Sequence, residues 1–184
     1  MQNVTEAADV GAPAREDQQA LDTLQFESLI EHRSHLTFFA SEIKMSNRKA
    51  RDFAAEISKC PVLEDLSISQ KDLGFLSEFA EGLGVCPELK YLDLSKNNIE
   101  DKDVNSLLRV IQQCPKLTHL NLSSNKIGDE DIDSLLRVIQ QCPKLDRLTL
   151  LDNAVGPEGL KKLQEHLKHG ARGQQLHLEL HRSY

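Results

Sequence analysis

The hydrophobic positions of this chain follow two alternating periods. Short stretches in which every second residue is apolar, such as Leu120 and Leu122, predict β-strands with one buried face. Between them the period lengthens to 3.6, as in the apolar stripe that begins at Val104, and predicts amphipathic helices. The pattern places strands near residues 37, 67, 93, 121, 149 and 177, with a helix after each of the first five.

One segment of the chain is written twice. Ser106–Leu117 and Ser134–Leu145 both read SLLRVIQQCPKL, at a spacing of 28 residues. Around them runs the frame L-x-x-L-x-L-x-x-N-x-I/V, which starts at Leu89, Leu117 and Leu145. Looser copies precede it, and Leu176-x-Leu178-x-Leu180 predicts a last strand. A fixed period of this length indicates stacked supersecondary units.

That frame resembles the leucine-rich repeat. With a full helix, and with C-P-x-L before four of the strands, it is similar to the ribonuclease-inhibitor-like class, and the cysteine is similar to that in repeats of F-box proteins. The resemblance implies an α/β, right-handed solenoid forming a short horseshoe arc. The parallel sheet would line the concave face and the helices the convex face. It also implies binding of other proteins, and one branch of the class activates Ran-type GTPases.

The frame suggests three segments. We expect residues 1–15 to be a disordered tail, because they are rich in alanine and polar residues. An off-register apolar stripe predicts an N-terminal capping helix over residues 16–33. Residues 34–184 would then form the repeat domain, with about five to six units.

Alternation on the strands turns the neighbours of the leucines towards the concave face, in three rows. The first row is predicted to be His35, Asp65, Tyr91, His119, Arg147 and Gln175. The second is Thr37, Ser67, Asp93, Asn121, Thr149 and His177, and the third is Phe39, Ser69, Ser95, Ser123, Leu151 and Glu179. The predicted partner-binding residues are Asp65, Tyr91, Asp93, His119, Asn121, Arg147, Thr149 and His177. They include the tyrosine and arginine typical of binding hot spots.

Two further columns are predicted to be structural. Asn97, Asn125 and Asn153 should form a buried ladder, because an inward amide can bond the backbone where each strand ends. Ser41, Lys71 and His181 replace asparagine near the ends of the stack. The four cysteines Cys60, Cys86, Cys114 and Cys142 occupy one repeat position, and no C-x-x-C pair indicates a disulfide or zinc site. We interpret them as packing residues in a reducing compartment.

Composition narrows the classes of partner. A net charge of −7 argues against nucleic acid or an anionic membrane as a ligand. No apolar stretch approaches the roughly 18 residues of a membrane span, and the polar, acidic start lacks the pattern of a signal peptide. We therefore expect a cytoplasmic protein, and a monomer.

No catalytic or metal constellation is predicted, so we expect neither an enzyme nor a cofactor. His119 and Ser123 are four residues apart on one strand, roughly 13 Å, which is too far for proton transfer. His166 and His169 lack a carboxylate or cysteine to complete a metal site. The pairs Asp101-x-Asp103 and Asp129-x-Asp131 are expected to cap the helices that follow them.

The leading hypothesis is a protein-interaction module, an adaptor or scaffold that uses the concave face and the adjoining loops. A regulator of a small GTPase is one alternative. A bacterial effector that mimics host repeat proteins in the host cytosol is another. The sequence does not name the partner.

Overall fold

The structure is a computed structural model that describes residues 35–39, 47–69, 76–169 and 176–180. The predicted tail and capping helix lie outside the described residues, as do Ser41, Lys71, Gln175 and His181. The elements in chain order are β1 His35–Phe39, α1 Asn47–Ser58, β2 Asp65–Ser69, α2 Leu76–Gly82, β3 Tyr91–Asp93, α3 Val104–Gln112, β4 His119–Asn121, α4 Ile132–Gln141, β5 Arg147–Thr149, α5 Pro157–His169 and β6 His177–Glu179. Short 3-10 turns over Asp101–Asp103 and Asp129–Asp131 lead into α3 and α4.

The six strands form one open parallel sheet in chain order, β1 to β6. Each strand pairs with the next, and each crossover between two strands passes through a helix. A parallel sheet assembled in this order is the α/β leucine-rich-repeat solenoid that the sequence predicts, and the predicted positions of all six strands are confirmed.

The core lies between the sheet and the helices. The inward leucines Leu66, Leu92, Leu120 and Leu148 of β2 to β5 are at most 1% exposed. The helices meet them with the predicted stripes, for example Ala54 and Ile57 from α1. Within the described ranges, no helix combines the length and the apolar character that a membrane crossing requires.

The asparagines that follow β3, β4 and β5 bond neighbouring repeats together. The Asn97 Nδ2 donates to the carbonyl of Ile68 at 2.7 Å. The Asn125 Oδ1 accepts the N–H groups of Asn97 and Ile99 at 2.9 and 3.0 Å. Asn153 does the same one repeat later, with its Oδ1 3.1 Å from the Ile127 nitrogen. Each amide thus satisfies backbone groups that have left the sheet.

The turn beyond three of the strands contains a left-handed residue. Lys96, Ser124 and Asp152 occupy equivalent repeat positions and have φ values of 59°, 54° and 53°. A side chain in this region is strained unless it is asparagine or aspartate. The repeat geometry therefore imposes the turn even where the residue is unfavourable.

The four cysteines lie at the turn between helix and strand. They are free thiols and at most 5% exposed. The Cys114 thiol donates to the Val110 carbonyl at 3.3 Å. Its hydrogen bond with Cys86 and its burial raise the pKa of the Cys114 thiol, so it stays protonated at neutral pH.

The register of the last strand corrects one expectation. His177 pairs with Arg147, and Glu179 with Thr149. The first row therefore ends in His177 and the second in Glu179, two residues later along the chain than predicted. The spacing from Arg147 to His177 is 30 residues (177 − 147) and not 28. A pattern of alternating leucines cannot distinguish the two registers, because a shift of two residues keeps the same side chains outward.

The expected helix caps are also corrected. At the N-cap positions of α3 and α4, Asp103 and Asp131 make no side-chain cap to the helix. Their carboxylates instead accept the N–H groups of Glu100 and Gly128, which lie three residues earlier. A 3-10 turn precedes each helix, so the carboxylate closes that turn. Asp129 reaches the next repeat, where its Oδ1 accepts the Gly156 N–H at 2.6 Å.

Candidate binding surface

The sheet presents the described residues of the first two predicted rows on the side away from the buried leucines. The third predicted row lies beyond the ends of β3, β4 and β5, and its Ser95 is buried. In β3 and β4 the burial alternates, with half-buried residues on both sides of a buried leucine. The register brings Asp65, Tyr91, His119, Arg147 and His177 side by side as the first row. Asp93, Asn121 and Thr149 are neighbours in the second row. Neighbouring strands lie about 4.8 Å apart, so each row is a continuous strip of surface.

Tyr91 and His119 form the centre of the first row. Their ring centroids are 6.3 Å apart with the planes tilted by 43°, within the range of favourable aromatic contacts. Burial raises the pKa of the Tyr91 hydroxyl, and the charges of Asp93 and Asp65 raise it further. A hydrogen bond with Asn121 acts in the opposite direction. The surroundings of Tyr91 are thus electrically negative.

His119 joins the sheet to the loop before β5. Its Nδ1 lies 2.8 Å from the Thr118 hydroxyl and 3.6 Å from an Asp146 carboxylate oxygen. Asp146 immediately precedes β5, and its backbone N–H donates to the Thr118 carbonyl at 2.9 Å. These contacts hold one edge of the imidazole against the Thr118 and Asp146 side chains and leave the ring beside Tyr91.

The end of the sheet at β5 and β6 carries a guanidinium, an imidazole and one carboxylate. Glu179 Oε1 is 3.8 Å from an Arg147 guanidinium nitrogen and 3.6 Å from His177 Nε2. Its second oxygen, Oε2, accepts the Thr149 hydroxyl at 3.3 Å. The Arg147 and His177 side chains remain 51% and 66% exposed. Both ion pairs are longer than a charged hydrogen bond and exposed to water, so they contribute little stability.

Arg147 and His177 border an open groove of about 680 Å³, which His119, Asp146 and Leu176 also line. Asp146 and Leu176 were not among the predicted binding residues. Asp146 precedes β5, at the repeat position that Glu64 and Lys90 occupy before β2 and β3. Those two residues form a salt bridge of 2.9 Å, so the charges at this position could have indicated from the sequence that it belongs to the surface. Leu176 was assigned to the core by the alternation of leucines; it packs partly buried against the core and also borders the groove.

The second row stabilises the loops that follow the strands. The Asp93 Oδ1 accepts the Ser95 N–H at 2.8 Å, and the Asn121 Oδ1 accepts the Ser123 N–H at 3.0 Å. Both are side-chain turns of the kind that Asp and Asn favour. The Ser123 hydroxyl also donates to Asn121 at 2.6 Å, so this serine is engaged with an amide and His119 with Thr118.

Possible metal ligands are dispersed. In the part of the chain that the structure describes, no three His, Cys, Asp or Glu side chains are grouped to hold an ion. The His166 ring is 3.4 Å from the Gln140 amide across α4 and α5. What the site offers is a polar surface with one aromatic pair and an open groove.

The leucine-rich-repeat family model matches residues 85–108 and 113–136. No curated protein matches the sequence. Among solved structures, the chain is similar to the actin-binding site 2 of leiomodin-1, with 19% identity over 75% of this chain and 78% of that chain and a TM-score of 0.54. The tropomodulin C-terminal domain of Caenorhabditis elegans is 14% identical over 76% and 85% of the two chains, with a TM-score of 0.57. A Bacteroides fragilis protein is 19% identical over 82% of this chain and 41% of its own, with a TM-score of 0.50. At these identities the similarity is one of fold.

Proposed function

Because this chain is a leucine-rich-repeat protein, we propose that it is a non-enzymatic interaction module whose sheet face binds a partner protein. The observation that carries the proposal is the groove beside His119, Arg147 and His177. It is open, and His119, which lines it, is in aromatic contact with Tyr91. Tyrosine and arginine on a rigid surface are the residues that most often dominate binding energy.

The rigidity of the surface also supports this function. The first-row residues of β2 to β5 stand on strands whose inward leucines are buried, and the asparagine ladder fixes the loops beside them. A surface that is already ordered loses little conformational entropy when a partner binds. The exposed faces of the helices have no comparable aromatic pair among the described residues.

The test is capture of partner proteins by three purified forms of the chain. The first is the original sequence and the second carries Tyr91→Ala and Arg147→Glu on the sheet. The third carries Arg109→Glu, which makes the same change of charge at an exposed position of α3. We expect a shared set of proteins to bind the first and third forms and to be lost from the second.

Loss from the Arg109→Glu form with retention by the sheet variant would assign binding to the helices and overturn the proposal. Circular dichroism and thermal melting of each form separate lost binding from lost folding.

The two alternatives from the sequence stay predictions. An arginine that acts on a bound nucleotide must be able to leave its own partners, and Arg147 is 3.8 Å from Glu179. A hydrolysis assay with a panel of small GTPases tests that function, and expression in host cells tests the effector hypothesis. The contacts among the described residues favour neither.

A further inference from the structure

The first row changes its charge in one direction across the sheet. It begins with the carboxylate of Asp65 on β2 and ends with Arg147 and His177 on β5 and β6. Between them stand the rings of Tyr91 and His119. The order is therefore acid, two rings, cation and imidazole, with one residue on each strand.

Neighbouring residues reinforce the negative end. Asp93 lies beside Tyr91 in the second row, and among the described residues no ion pair joins its carboxylate to a cation. Asp65 and Asp93 both act on the Tyr91 hydroxyl and raise its pKa. Lys90, whose pKa is raised by Glu64, is paired with that glutamate at 2.9 Å and offsets part of the charge.

The end of the row at Arg147 and His177 has more hydrogen-bond donors than Glu179 can engage. A guanidinium carries five N–H groups, and the single carboxylate of Glu179 faces both Arg147 and His177 at 3.6 to 3.8 Å. A second carboxylate could approach the exposed side of Arg147 without displacing Glu179. The groove beside these residues leaves room for such a group.

The dimensions of the row match those of an extended peptide. From Asp65 to Arg147 is three strand spacings, or about 14 Å. In an extended segment, residues i and i+4 point the same way and are about 13 Å apart. Residue i+2, which points the same way, would lie above Tyr91 and His119.

We propose that the first row binds an extended peptide segment that crosses the strands. The segment carries a basic residue opposite Asp65, an aromatic or aliphatic residue over the two rings, and an acidic residue opposite Arg147, at positions i, i+2 and i+4. This deepens and rests on the proposed protein-binding function. Charge complementarity along the row selects this occupant, and the ring pair supplies the apolar contact.

The experiment is a selection from a displayed peptide library of the form X-Thr-X-Thr-X, with Lys, Arg, Asp, Glu, Phe, Leu and Ala allowed at each X. The bait is the full chain, in its original form and as the Arg147→Glu and Arg109→Glu variants. Arg147 is exposed and its ion pair is long, so its replacement leaves the fold intact. Peptides recovered are then synthesised and their affinities measured by fluorescence anisotropy.

The proposal expects one pattern of recovery. The original chain and the Arg109→Glu form enrich a base and an acid four residues apart with an apolar residue between them. Arg147→Glu makes both ends of the row acidic, so it should lose these peptides by at least about tenfold and enrich peptides with a base at both ends.

Three other outcomes overturn the inference. If the recovered peptides lack that charge pattern but still depend on Arg147, the proposed binding by the sheet face is retained. Only the proposal of a bipolar segment, with a basic and an acidic residue four positions apart, is then wrong. Peptides that ignore Arg147 and depend on Arg109 would remove both. Recovery of no peptide would overturn the bipolar segment, and the capture of intact proteins would then decide the proposed function separately.

Discussion

The amide oxygen of Asn125 accepts the backbone N–H of Asn97 at 2.9 Å, so a side chain of one repeat closes the turn of the repeat before it. The same oxygen accepts the Ile99 N–H at 3.0 Å. Its Nδ2 donates to the carbonyls of Leu94 and Leu122, at 3.0 and 2.8 Å. One buried side chain thus satisfies backbone groups on two neighbouring repeats.

Replacing Asn125 by alanine is expected to lower the free energy of unfolding by at least about 3 kcal/mol, because several buried backbone groups lose their partners and each costs about 1–3 kcal/mol. Urea denaturation measures the loss. Asn153→Ala is the matched control. Asn153 is only half-buried, and its Oδ1 accepts the N–H of Ile127, so the loss there should be smaller. Equal losses would show that the ladder is not strongest at its buried centre.

Replacing Lys96 by asparagine is expected to stabilise the protein by about 0.5–1 kcal/mol, because Lys96 has a φ of 59° and asparagine tolerates that conformation better. The midpoint of urea denaturation measures the gain. Lys126→Asn removes the same charge from the next loop, where φ is not positive, and should leave stability unchanged. A gain in both variants would assign the effect to charge and not to backbone strain.

Replacing Gly82 by alanine is expected to cost about 2–3 kcal/mol, because the added methyl group would overlap the backbone carbonyl of Arg51, where α2 crosses α1. Thermal melting measures the change. At Gly128 the nearest atom to an added methyl group is an Asp131 carboxylate oxygen at 3.7 Å, so Gly128→Ala should cost less than about 1 kcal/mol. The reverse order of the two losses would contradict the close approach of the helices.

The effect of the Asp93 charge can be measured as a change in the pKa of Tyr91. The chain has two tyrosines, so in a Tyr184→Phe background the ultraviolet absorbance of phenolate reports Tyr91 alone. Asp93→Asn should lower the pKa of Tyr91 towards its ordinary value, because one of the charges that raise it is removed. Asp146→Asn should leave it in place, since Asp146 is not among the charges that act on that hydroxyl.

The same titration has a consequence for stability. The pKa of Tyr91 is higher in the folded chain than in the unfolded chain, so its contribution is full below the ordinary tyrosine pKa. Stability then falls as the pH rises through the folded value, because the unfolded chain releases its proton more readily. Asp93→Asn should flatten that fall in alkaline urea denaturation. An unchanged slope would contradict the coupling.

The fold was predictable because its pattern is repeated. Leu66, Leu92, Leu120 and Leu148 are each a buried leucine of a strand, and the spacing of their frames placed four of the five registers correctly. The register predicted for β6 was wrong because the interval from Arg147 to its partner His177 is 30 residues. A strand pattern with a period of two looks the same after a shift of two residues, so it cannot reveal the change. The prediction that aspartates cap the helices was wrong for a local reason. A 3-10 turn precedes each helix, and the aspartate carboxylate closes that turn.

The sequence was sufficient to predict the rows of surface residues, but not the side-chain contacts among them. A parallel register fixes which residues are neighbours, so Tyr91 beside His119 followed from the sequence. The position of Glu179 between Arg147 and His177 depends on the corrected register of β6. The groove depends in addition on Asp146, a loop residue that strand periodicity does not describe.

The verbatim copies Ser106–Leu117 and Ser134–Leu145 fold into α3 and α4 and the turns after them, so the two units present the same helix sequence to their neighbours. A unit of this kind can be gained or lost whole without creating a new contact between helices. The reach of the surface would then change in steps of one strand, about 4.8 Å, while its local geometry stays constant. Gain or loss of one repeat would therefore lengthen or shorten the surface by a fixed increment.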